Sequence, residues 1–298
     1  MDGPAIQLLT GDRLHLQHGP IDVVLRAWGG AADVEAAYRA AAERFATVLG
    51  ELVGELAELR RPVSEAPRVS GAVARRMLDA VRPFAGTFIT PPCVAPPFIT
   101  PMAAVAGAVA DELMAAMRAA ASLSRAYVND GGDIAVHLSP GATLTLGIAG
   151  DFSGGPVPAL NGSIRLTPEL GIGGIATSGA HGRSFSLGIA DSVTVLARTA
   201  AAADAAATLI ANAVDLDSPA IERRPACTLD PDSDLGHRLV TVAVGPLTDA
   251  EIDRALAAGA AEARRFQAAA LVHGAALMLA GRTLSLGVPA PQLEETPA

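Results

Sequence analysis

Lysine is absent from this 298-residue chain, and all 22 of its basic residues are arginine. That single gap removes Schiff-base chemistry, the lysine of a phosphate-binding P-loop and the strand lysine of protein kinases. Exclusive arginine use carries no further functional meaning. Aromatic residues are scarce at 3%, so the core must be built from Ala, Val, Leu and Ile, for which the chain length is ample. The two cysteines, Cys93 and Cys227, stand far apart and form no C-x-x-C spacing. They could pair in an oxidising compartment, but nothing in the sequence requires it. Long uncharged apolar runs are also missing. The longest apolar stretches, 101–121 and 199–214, each contain carboxylates and fall short of a membrane span. The opening residues MDGPAIQLLTGDRLHL have neither a basic nor an apolar signal region, so a cytoplasmic protein is expected. A formal charge of −9 and a pI near 5.1 argue against nucleic-acid binding, which needs a basic footprint.

No stretch reads as a long flexible linker, and residues 1–298 are expected to form one domain. Alternation through residues 5–27, with Gly19-Pro20 as the turn, predicts an opening β-hairpin. From Asp33 to Leu59 the apolar spacing changes to 3 and 4, which predicts a long helix capped by Asp33 and stopped before Pro62. A shorter helix is expected over 71–81. Phe88-Ile89-Thr90-Pro91 then recurs as Phe98-Ile99-Thr100-Pro101, and the prolines between the copies exclude helix and central strand. This loop is either a duplication scar or a functional lid. Thr100-Pro101 is a start signal for a helix over 102–118, in which Gly107 marks close approach of a backbone or a ligand. Short strands are expected at 127–132, 133–138, 143–148, 162–167, 173–177, 184–189, 192–197 and 238–245, with a helix at 199–214. Thr248 and Glu251 form a capping box for a final helix. Two closing strands follow. Helices and mostly antiparallel strands in mixed order make the fold α+β.

The most informative stretch is 173–212. Its terminal helix carries Asp204, Thr208 and Asn212 at i, i+4 and i+8, followed by Asp215, on an otherwise Ala/Leu/Ile surface. Solvated helix faces ordinarily use long paired charges. Short oxygen-bearing side chains one turn apart instead suit a hard divalent cation such as Mg²⁺ or Ca²⁺. Asp230–Gly236, DPDSDLG, concentrates three carboxylates. It resembles the start of an EF-hand loop but lacks its remainder, and is read as a turn with a Ser/Asp cap.

Four segments in order carry a family resemblance. They are AVAGAVADEL with Gly107 and Asp111, the turn Asn129-Asp130-Gly131-Gly132-Asp133, Ala176-Thr177-Ser178-Gly179, and Ala203-Asp204 with Thr208. Together they resemble the ApbE superfamily of magnesium-dependent flavin transferases, most strongly over 98–215. LHLQHGPID, TPMAAVAGAVADE, SFSLGIADSVTV and DPDSDLG are similar to an uncharacterised branch of it. The resemblance implies an ApbE-like, T-fold-related layered fold. It implies Mg²⁺ held by Asp204, Thr208 and the Val105 carbonyl, and a flavin nucleotide (FAD or FMN) lined by Asn129, Gly131, Gly132 and Asp133. Thr177, Ser178 and Gly179 would lie beside its phosphates. Two departures stand out. Val105-Ala106-Gly107 replaces the family's A-K-G, and no H-x-I-D-P-x-T-G motif occurs. His181 and Asp191 are the catalytic candidates by proximity alone, and Arg183 suits phosphate or carboxylate recognition by its planar fork.

Three functions follow. The first is Mg²⁺-assisted binding of a flavin nucleotide or another phosphorylated small molecule. The second is different chemistry on the same scaffold, using Asp133, His137, His181, Arg183 or Asp191. The third is a non-catalytic binding or assembly protein. The expected partners are a small-molecule or nucleotide ligand and a second copy in a homodimer, with neither nucleic acid nor membrane.

Overall fold

The computed structural model describes residues 3–85, 97–151, 159–182 and 184–287, the side chains of 148–151 and 159–162 excepted. The first copy of the FITP repeat and Cys93 lie outside these residues. In chain order the strands are β1 (Ala5–Leu9), β2 (Arg13–His18), β3 (Ile21–Gly29), β4 (Leu123–Asp130), β5 (Asp133–Leu138), β6 (Leu144–Asp151) and β7 (Ala159–Leu166). They continue as β8 (Gly174–Ser178), β9 (Ser192–Ala197), β10 (Ile221–Pro225), β11 (Leu239–Val244), β12 (Gly274–Leu279) and β13 (Arg282–Leu286). The helices are α1 (Ala31–Gly54), α2 (Leu56–Leu59), α3 (Ala72–Ala85), α4 (Val105–Ala120), α5 (Ala200–Ala213) and α6 (Asp249–Ala268). The fold is α+β with a large antiparallel sheet, as the strand pattern implied.

The chain divides into two compact units. One comprises Met1–Leu144, Leu166–Ala176 and Leu196–Ala205, and the other Thr145–Arg165, Thr177–Val195 and Ala206–Ala298. Strands β8 and β9 and helix α5 contribute residues to both.

In the first unit, β1 to β5 form an antiparallel meander, joined on the far side of β5 by Gly174-Ile175 of β8. The expected opening hairpin is a three-stranded meander. Its additional turn uses Gly11 and Asp12, both at positive φ, a region open to glycine and tolerated by aspartate. Alternation places Leu14, Leu16, Val23, Leu25, Ala126 and Val128 on one buried face. Helix α1 packs on β2 and β3 through Ala37, Ala41, Phe45, Val48, Leu49 and Leu52, the 3 and 4 spacing seen in the sequence. Asp33 is not its cap. The N-cap is Gly30, while Asp33 lies in the first turn and accepts the Ser122 N–H at 3.4 Å. Helix α4 packs against α1, α3, β4 and β5. A short 3₁₀ turn, Pro101–Ala104, precedes it, so the regular helix begins at Val105 rather than Met102.

In the second unit, α6 opens with the expected capping box. Thr248 accepts the Glu251 N–H, and the Glu251 carboxylate accepts the Thr248 N–H. The helix packs on the β12–β13 hairpin. β10–β11 and β6–β7 are separate two-stranded ribbons. Residues 184–189, expected as a strand, form none among the described residues. Their amides go elsewhere: Leu187 N–H to Asn212 Oδ1 at 3.0 Å, Gly188 N–H to Ser186 Oγ at 3.2 Å, and Ile189 N–H to the Val214 carbonyl at 2.9 Å. Those three amides are not free to donate to a sheet ladder.

Candidate functional site

The first unit brings three carboxylates into electrostatic range of one another. Asn129-Asp130-Gly131-Gly132-Asp133 forms the two-residue loop between β4 and β5, with Gly131 at φ 63° and Gly132 at φ 114°. Asn129 Oδ1 accepts the Gly132 N–H at 2.8 Å, which fixes the turn. Only glycine takes both positions without strain. This register sets Asp130 directly opposite Asp133. Like charges in that position destabilise a sheet unless something offsets them. Asp130 is buried and accepts the Asp22 N–H at 3.4 Å, whereas Asp133 is half-buried.

Asp204 is the third carboxylate. It sits in the first part of α5, and its Oδ2 accepts the Gly107 N–H at 3.1 Å. Burial, followed by the negative charges of Asp133 and then Asp130, pushes its carboxyl well above the usual carboxylate range. The amides of Gly107 and Ala106 oppose that rise, because they stabilise the anion at the N-terminus of α4.

A second carboxylate makes the converse contact. Asp111, on α4, accepts the Ala200 N–H at 3.0 Å and the Ala201 N–H at 2.9 Å, the first two amides of α5. Each helix start is therefore capped by an aspartate of the other helix. Burial raises the Asp111 carboxyl, and the two amides partly offset it. Such an exchange demands close backbones, and glycine supplies them. A Cβ on Gly107 would lie 2.6 Å from Ala201 N and closer still to the Ala200 carbonyl. A Cβ on Gly174 would overlap Thr199 and Ala200. The expected close approach at Gly107 is thus met by a backbone.

In the second unit, Thr177 and Thr194 hydroxyls lie 2.9 Å apart, and Gly179 packs against the Asp191 backbone, where a Cβ would overlap the carbonyl. Ser178, beside them in β8, is half-buried. His181 Nε2 stands 3.4 Å from Asp191 Oδ1, so the two catalytic candidates do meet. Asp191 is held from the other side by the Ala280 N–H at 2.7 Å. His181 itself is exposed, and Arg183 lies outside the described residues.

The polar stripe on α5 is not a plain solvated face. Asp204, Thr208 and Asn212 are all half-buried. Asn212 organises residues 186–187, and Asp215 pairs with Arg223. Thr208 follows Asp204 by one helical turn. Among the described residues, no three His, Cys, Asp or Glu side chains converge as a ligand cage.

Asp130 and Asp111 went without a role in the sequence reading. Asp130 was legible in principle, since a two-residue glycine turn forces the residues flanking it to face each other. Asp111 entered only as part of the AVAGAVADEL segment that carries the family resemblance.

The model of the AbpE bacteria family matches residues 6–285. The chain belongs to that family. It is also similar to UPF0280 proteins. It is 36% identical to one from Methanopyrus kandleri over 147 residues, 49% of this chain and 51% of that one. It is 41% identical to one from Methanothrix thermoacetophila over 121 residues, covering 40% and 48%, and 37% identical to one from Methanospirillum hungatei over 128 residues, covering 42% and 50%. The chain spans about half the length of these curated relatives. No helix among the described residues is long and apolar enough to cross a membrane.

Proposed function

We propose that this protein binds a flavin nucleotide or another phosphorylated small molecule together with Mg²⁺. The observation that carries the reading is the carboxyl of Asp204, raised by burial and by two aspartates facing each other across a glycine turn. A divalent cation would offset that accumulation of negative charge, and hard cations choose oxygen ligands. Asp204, Thr208 one turn along α5 and the Val105 carbonyl would hold it, as the family resemblance implies. Mg²⁺ commonly takes one or two protein oxygens and completes its shell with water and substrate phosphates. The bound cation would supply charge neutralisation at a phosphate or pyrophosphate. This chain's own contribution would be to hold Asp204 in place through the amides of α4 and to present the β4–β5 turn that Asn129 closes.

Flavin transfer itself is not part of the reading, because the family's lysine and histidine motifs are missing from the sequence. Different chemistry centred on His181 and Asp191 is the second reading, favoured by their 3.4 Å approach.

Thermal unfolding with FAD, FMN and ADP, each with and without Mg²⁺, tests the proposal. A ligand that binds only the native state raises the midpoint. A Mg²⁺-dependent rise with a nucleotide, lost in Asp204→Asn, is the expected result. No rise with any of the three would defeat the nucleotide reading.

A further inference from the structure

We infer that β1 is a self-pairing edge through which two copies of this chain join into one continuous sheet. The sheet's apolar face can be followed strand by strand. Val128 opposes Leu25, Leu25 opposes Leu14, and Leu14 opposes Leu8. Relative exposure along this row is 0%, 0%, 7% and then 65%. A parallel row runs from Val23 through Leu16 to Ile6, with exposures of 0%, 0% and 51%. The face that α1 covers over β2 and β3 therefore continues uncovered onto β1. Ile6 and Leu8 are core-patterned residues whose cover is missing among the described residues.

The strand also lacks the devices that keep sheet edges apart. Solitary edges are usually protected by charged side chains, proline or a bulge. Ala5–Leu9 contains no charge and no proline, and it pairs with β2 without a register shift. β1 ends the strand order, and its outer edge pairs with no strand among the described residues.

A second copy fits this edge better than an unrelated partner, because the sequence is complementary to itself. In an antiparallel pair centred on Gln7, Ala5 faces Leu9, Ile6 faces Leu8, and Gln7 faces Gln7 of the second copy. Each apolar residue on the bare face then meets an apolar partner, and the one polar side chain meets an amide that can both donate and accept. The chain's net charge of −9 opposes association in general. The uncharged strand is a place where two copies can approach without opposing like charges. One five-residue strand is a small contact, so a reversible, concentration-dependent dimer is expected.

Sedimentation equilibrium of the full chain across micromolar concentrations reads the association, and Leu8→Lys tests the surface. Position 8 is exposed, so the variant should keep the parent's circular dichroism and melting midpoint while becoming monomeric. The register is tested by cysteine placement on a Cys93→Ser, Cys227→Ser background. Facing Cβ atoms in an antiparallel pair are roughly 4.5–5.5 Å apart, so a small approach brings them to about 3.5–4.5 Å, the separation that a disulfide spans. Gln7→Cys should cross-link to a dimer, whereas Leu9→Cys, facing Ala5, should not. A parent that stays monomeric at every concentration would overturn the inference and leave this edge to another segment or another protein. A dimer that survives Leu8→Lys, or that cross-links at position 9 instead of 7, would overturn it equally.

Discussion

Asp204 Oδ2 accepts the backbone N–H of Gly107 at 3.1 Å, a contact between residues 97 apart in the chain. The same carboxylate is the one that the family resemblance assigns to a metal. Protein amides and the cation would therefore act on one side chain, which makes Asp204 the most informative position to vary.

Asp204 and Asp111 both have carboxyls raised above their usual range, mainly by burial. A raised folded value means that their contribution is fully present below the unfolded aspartate value of about 3.9 and is lost as pH rises through the folded value. Asp204→Asn should remove its share of that decline with rising pH in a urea series run at several pH values without divalent ions. Added Mg²⁺ should stabilise the parent more as pH rises, because the cation competes with the proton, and should leave Asp204→Asn unchanged. An equal Mg²⁺ response in both proteins would remove Asp204 from the ligand set.

Glu112 should behave with the opposite sign. Burial works to raise its carboxyl, but hydrogen bonds from Arg44 at 2.8 Å and Arg76 at 2.7 Å outweigh it and hold the group low. Its contribution is present above the unfolded glutamate value of about 4.3 and is lost as pH falls through the folded value. Glu112→Gln should cost about 2 kcal/mol at pH 7, typical of hydrogen bonds to charged groups. The cost should shrink in acid, as chemical denaturation at pH 7 and pH 4 would reveal.

Gly107→Ala should be strongly destabilising although it adds one methyl group. The new Cβ would meet the backbone at Ala200 and Ala201, which cannot swing aside as a side chain can. A loss of about 3 kcal/mol is expected, at the upper end of the usual range for overpacking. Gly132→Ala meets no atom within 4 Å, and its cost should come from backbone strain at φ 114° instead. A Gly107→Ala protein as stable as the parent would show that α4 and the start of α5 can separate freely.

Asp111→Ala removes the acceptor for the first two amides of α5 and should cost about 1–2 kcal/mol, as loss of a helix cap does. Asp111→Asn keeps an acceptor oxygen and should recover part of it. Hydrogen exchange at Ala200 and Ala201 is the direct measurement. Protection unchanged in Asp111→Ala would show that another group caps the helix.

Much of the scaffold was legible because its determinants are local. The 3 and 4 spacing of α1, the capping box at Thr248 and Glu251, the Gly19 turn and the glycine pair of the β4–β5 loop each depend on neighbours within a turn or a hairpin. Misreadings arose where a distant group intervened. Residues 184–189 carry a strand-like pattern, yet the Leu187 and Ile189 amides are taken by Asn212 and Val214. Asp33 has the composition of an N-cap, but its oxygen is turned to Ser122.

The sequence by itself determined the α+β class, most element positions, the lysine-free chemistry and the Asp204–Thr208 stripe, while the Asn129–Asp133 turn became a candidate only through the family resemblance. Periodicity, turn chemistry and composition act over a few residues and can be read in one dimension. Tertiary structure alone decided that Asp111 and Asp204 cap each other's helices, that Asp133 and Asp130 add their charge to that of Asp204, and that Ile6 and Leu8 end an apolar face without cover among the described residues. Those facts depend on backbone approach, desolvation and charge proximity between segments up to 97 residues apart, and no local pattern encodes them.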